Sequence, residues 1–109
     1  MNQLRKINIL YVIRVLIPHT SSQSFFTSDK NKIADLLDPS DCSNDDTRVN
    51  VYECDLSDYG FFGHEETFYT VTDNGYQSIS FRYNEDTQPA LQISQQNNPI
   101  QVLVPLKKI

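Results

Sequence analysis

The sequence predicts an α+β domain, a mostly antiparallel sheet of five to six strands with one short helix packed on one face. Three observations predict it. Residues 7–17 form a β-branched run that ends at Pro18, whose ring cannot donate to a strand ladder. Asn74-Gly75 stands between two alternating segments, the strongest short-range mark of a β-hairpin. Only one stretch, residues 29–38, spaces its apolar side chains for a helix, with Ile33, Leu36 and Leu37 at i, i+3 and i+4.

The first run reads as a central strand. Its odd positions (Ile7, Ile9, Tyr11, Ile13, Val15, Ile17) are all apolar, and Leu10, Val12 and Leu16 add a second apolar face. A polar loop holding Phe25 and Phe26 follows. Ser28 is placed to cap the helix, and Asp29 suits its positive end. Pro39 closes the helix, and residues 40–46 read as an acidic loop.

Residues 47–56 read as a strand with Val49 and Val51 on one side and Tyr52, Cys54 and Leu56 on the other, which implies a bulge or two covered faces. Residues 58–64, with Gly60 and Gly63 around Phe61-Phe62, read as an aromatic loop. With Asn74-Gly75 as the hairpin loop, Thr72 faces Gln77, Thr70 faces Ile79 and Phe68 faces Phe81 on the inner side. Tyr69, Val71, Tyr76, Ser78, Ser80 and Arg82 fall on the outer side. A second hairpin pairs residues 90–94 with 100–106, and Pro105 marks a strand end or an edge.

At 109 residues the chain makes one domain, residues 1–109, which buries roughly two-thirds of the surface its unfolded chain exposes. Twelve aromatic residues and no Trp leave Phe and Tyr to supply the large apolar area. Charge is segregated. All 14 acids lie between Asp29 and Asp86, against Lys30, Lys32, Arg48 and Arg82, a net of −10. The flanks carry only Arg5, Arg14, Lys6, Lys107 and Lys108, a net of +5. A total of −5 disfavours direct nucleic-acid binding, which needs Lys and Arg to displace counterions, and favours encounter with a basic protein.

Chemistry-bearing motifs are sparse. Cys42 and Cys54 would close a loop worth on the order of 3 kcal/mol if bridged, but two cysteines are too few for a disulfide-built scaffold, and reduced thiols are expected. The N-terminal apolar run is interrupted by Asn8 and Arg14, so neither a cleaved signal nor a membrane span is expected, and the expected location is cytoplasmic. His64, Glu65, Glu66, Cys54, Asp55 and Asp73 lack the close ligand pairs of a zinc site, and no glycine-rich phosphate loop occurs. A Cys-His nucleophile built from Cys42 or Cys54 with His19 or His64 has no spacing to support it. No cofactor, metal or catalytic residue is expected.

Two surfaces remain as partner-binding candidates. One is the acidic set Asp35, Asp38, Asp41, Asp45, Asp46, Asp55 and Asp58; the other is the aromatic trio Tyr59, Phe61 and Phe62. The expectation is a non-enzymatic protein-binding module, of inhibitor or immunity type, that presents acids to a basic protein partner. The alternative is an assembly subunit, a homodimer joined through a strand edge and the Tyr-rich hairpin face.

Overall fold

A computed structural model describes residues 4–20, 22–36, 48–85, 88–95 and 98–109. Mostly antiparallel strands and one short helix are present, as the sequence predicts, but the strands divide between two sheets rather than forming one. The larger sheet is ordered β1(Arg5–Lys6), β5(Phe61–His64), β6(Thr67–Thr72), β7(Gly75–Asn84), β8(Ala90–Gln95), β9(Asn98–Pro105). The smaller is ordered β10(Lys107–Lys108), β4(Arg48–Asp55), β2(Ile9–Leu16), β3(Gln23–Thr27). All pairings are antiparallel.

The two sheets face each other across one core. Leu10, Val12, Tyr52 and Cys54 from the small sheet meet Phe61, Phe68, Ile79, Leu91, Ile93 and Val104 from the large one. Ring contacts tie the layers together: Phe26 lies 6.0 Å from Phe81 and Tyr52 lies 5.8 Å from Tyr83. The chain changes sheet at Ile7, Leu56 and Leu106, three apolar residues that turn into the core. Their backbone N–H groups donate to Phe61, Asn8 and Pro89 carbonyls respectively, so each crossing is tied down.

Period-two patterning explains most of the placements. Within the four-stranded sheet β2 is internal, and Ile13 and Val15 are buried on the side opposite Leu10 and Val12, so both faces are covered as expected. β4 keeps an unbroken register with β2 from Arg48 to Asp55, which removes the bulge and leaves the two-faced reading. Phe25 and Phe26, expected in a loop, lie in β3 paired with Ile13 and Val12.

The helix α1(Lys32–Leu36) begins three residues later than expected and contacts β3. Asp29 rather than Ser28 organises its start: the Asp29 carboxylate accepts from the Asn31 N–H at 3.0 Å. Leu37 lies outside the described residues.

The first hairpin is shifted by two residues from its expected register, with Thr72 opposite Gly75 and Thr70 opposite Gln77. Positive φ falls on Gly75 (113°), not on Asn74. Asp73-Asn74 forms the loop, and the Thr72 hydroxyl accepts from the Asn74 N–H and donates to the Gly75 carbonyl. A shift of two leaves every side chain on its expected face. The second hairpin forms, but Gln95, Asn98 and Pro99, expected in its loop, extend the strands; β9, ending at Pro105, is an edge strand.

β7 serves two ladders. Its first half, Gly75 to Ile79, pairs with β6, and its second half, Ile79 to Asn84, pairs with β8. The large sheet is therefore strongly staggered. Among the described residues, Phe81 to Tyr83 have no strand partner on the β6 side.

Candidate functional site

The outer face of the large sheet carries an aromatic cluster. Antiparallel register puts Phe62 directly across from Tyr69, and Val71 directly across from Tyr76. Tyr76 then reaches back to both rings, with centroids 6.0 Å from Phe62 and 6.4 Å from Tyr69 and interplanar angles of 76° and 67°. Edge-to-face contacts of this kind hold rings in place without burying them. Tyr76 stays 60% exposed and Val71 56% exposed. Lys6 on β1 sits across from Phe62 at one margin, and Asp73 occupies the hairpin loop at another. The result is an ordered apolar patch with a cation and an anion on its rim.

The aromatic trio read from the sequence is divided by the strand it occupies. Residues 61–64 are β5 rather than loop, so Phe61 and Phe62 point to opposite faces. Phe61 is only 5% exposed and stacks on Tyr59 at 5.2 Å and 2°, so this pair supports the core. Only Phe62 joins the outward cluster. Tyr69, Val71 and Tyr76 complete it, and their alternation about the hairpin was the signal that placed them outward.

Of the acidic candidates, Asp55 and Asp58 are exposed, at the end of β4 and in the turn that follows. The Asp55 carboxylate accepts from the Ser57 hydroxyl at 2.6 Å and the Ser57 N–H at 2.9 Å, and these bonds hold its pKa below the ordinary value. Asp35 lies in α1, and Asp38, Asp41, Asp45 and Asp46 lie outside the described residues. The other described acids include Glu65 and Glu66 at the β5–β6 turn, Asp73 at the β6–β7 turn and Glu85 after β7. These occupy turns at both ends of the large sheet.

Cys54 is a free thiol with no exposed surface, and burial, aided by the neighbouring Asp55 charge, pushes its pKa up to about 12. At neutral pH it is protonated and shielded, the opposite of an activated nucleophile. Cys42 lies outside the described residues. Among the described residues no group of three or more His, Cys, Asp or Glu side chains is placed to hold a metal ion, and no helix is long and apolar enough to cross a membrane. Comparison with protein-family models, with curated proteins and with solved structures finds no match.

Proposed function

We propose that this chain is a non-enzymatic binding module that assembles with a second copy of itself through the aromatic outer face of its large sheet. One observation carries the reading: Phe62, Tyr69 and Tyr76 form an edge-to-face array on a rigid sheet while Tyr76 and Val71 stay largely exposed. Aromatic side chains are enriched at protein interfaces because they bury much area at little entropic cost. A second copy is the occupant because the rim is self-complementary. In a two-fold pairing each contact is made twice, so Lys6 of one copy is available to Asp73 of the other and the reverse.

The edges support a face-to-face mode over strand addition at β1 and β10. Both are two-residue strands made only of Arg and Lys, exposed, and charged short edges resist further pairing. Sedimentation velocity over a concentration series tests the reading. Wild type is expected to pass from monomer to dimer, and Tyr76→Ser to remain monomeric with unchanged thermal stability. A wild type that stays monomeric at millimolar concentration overturns it.

A second reading, docking of a basic protein through the acidic residues Asp35, Asp38, Asp41, Asp45, Asp46, Asp55 and Asp58, is favoured by the net of −10 carried between Asp29 and Asp86. Its signature is affinity for a basic partner that falls steeply with salt. Either role belongs to a cytoplasmic protein in our reading, which the free, buried thiol of Cys54 supports.

A further inference from the structure

We propose that the notch where β7 outruns β6 binds a small oxyanion, a phosphate or carboxylate group carried on a small molecule. Arg14, Arg82, Tyr83, Asn84, Glu85 and Gln92 line an open pocket of about 370 Å³ there. That volume is at the small end of the range for ligand sites.

Arg14 is the first reason. It stands on the inner face of β2, half-buried, with its guanidinium 4.5 Å from the centre of the Tyr83 ring and Nη1 donating to Ser24 Oγ at 2.8 Å. Its Nε is buried with no partner, and among the described residues no carboxylate pairs with it. A half-buried cation ordinarily draws a counter-charge, because the desolvation of an unpaired ion is costly. Among the described residues, a ring face and one hydroxyl offset it.

The second reason is what surrounds it. Arg82 is exposed on β7 and has no ion-pair partner among the described residues. Across from it on β8, Gln92 accepts through Oε1 from Asn84 Nδ2 at 3.2 Å, which leaves Nε2 as the donor end of its amide. Among the described residues, Phe81 to Tyr83 also present a backbone edge that no strand covers on the β6 side. Arg14 and Arg82 both line this pocket, and a guanidinium fork matches the planar oxygens of a carboxylate or the oxygens of a phosphate. Glu85 is the one acid in the lining, and it opposes such a ligand.

Titration with inorganic phosphate, with acetate and with chloride at matched ionic strength, followed by ¹H–¹⁵N NMR, tests the site. Saturable shifts are expected for the Arg82, Asn84, Glu85 and Gln92 amides and the Arg14 side-chain N–H. The expected dissociation constant is on the order of 1 mM or lower. Saturation by phosphate alone assigns a phosphate-bearing ligand, and saturation by acetate a carboxylate. Arg82→Gln, a surface change that leaves the core intact, is expected to weaken binding about tenfold, and Glu85→Gln to strengthen it several-fold. Equal, unsaturated shifts with chloride, or an Arg82→Gln titration identical to wild type, overturn the proposal.

Discussion

Phe61 and Phe62 are neighbours in the chain and lie on opposite sides of the large sheet, Phe61 stacked on Tyr59 within the core and Phe62 edge-on to Tyr76 at the surface. Substituting each therefore separates stability from association. Phe61→Ala is expected to cost about 3 to 5 kcal/mol in denaturant unfolding, the range for emptying a buried aromatic site. Phe62→Ala is expected to cost under about 1 kcal/mol, in line with a surface change, while abolishing dimer formation in sedimentation.

Gly63 is inward-facing on β5 with little room for a side chain. A Cβ there would stand 3.1 Å from Ile7 Cδ1, 3.3 Å from Ile7 Cγ1 and 3.4 Å from Phe68 Cδ1. Gly63→Ala is expected to destabilise by about 1 kcal/mol or more through overpacking, read as a lower denaturant midpoint with an unchanged m-value.

Glu65 opens the two-residue β5–β6 turn with φ of 54°, a left-handed conformation that strains a side chain bearing Cβ. Glu65→Gly is expected to raise stability by about 0.5 to 1 kcal/mol despite the added freedom of glycine in the unfolded chain. Thermal denaturation checks it.

Cys54 links stability to pH. Its folded-state pKa, about 12, lies above the ordinary 9.0, so the folded state holds the proton more tightly than the unfolded chain. Its contribution is complete below pH 9 and is lost as pH rises toward 12. Urea midpoints measured at pH 8 and pH 10.5 are expected to fall for wild type and to fall less for Cys54→Ala. Alkylation of the native protein with iodoacetamide is expected to leave Cys54 unmodified until denaturant is added.

Much of the fold was legible wherever an alternating pattern lay beside a strong punctuation signal. The run ending at Pro18 forms a strand from Ile9 to Leu16, with Ile7 left outside it at a crossing between sheets, and the Asp73-Asn74-Gly75 turn and the strands on either side of residues 96–97 form. The hairpin register missed by two, yet the faces held, because side-chain direction depends on parity and not on which pair closes the loop. Alternation alone therefore puts Tyr69, Val71 and Tyr76 on the outer face.

What was illegible depended on distant partners. Gly60 and Gly63 read as loop punctuation around Phe61-Phe62, but Gly63 is in a strand through pairing with Phe68 and with Arg5, far away in sequence. Phe25-Phe26 sits among polar residues and becomes a strand only by pairing with β2. Alternation says which side of a strand is apolar and not which sheet it joins, so the division at Ile7, Leu56 and Leu106 left no local mark. Of the acidic set, Asp55 and Asp58 are surface residues as read, and Asp38, Asp41, Asp45 and Asp46 fall outside the described residues.

Site-directed cross-linking through Val71 tests the self-assembly of the aromatic face most directly. Val71 is exposed within the patch, directly across from Tyr76, and residues near a two-fold axis lie close to their own copies. In a Cys42→Ser background, with Cys54 buried and unreactive, Val71→Cys is expected to form a disulfide-linked dimer rapidly under mild oxidant, while Arg48→Cys, exposed on the small sheet, remains monomeric. Equal and slow cross-linking at both positions, or none at Val71→Cys, would contradict assembly through this face.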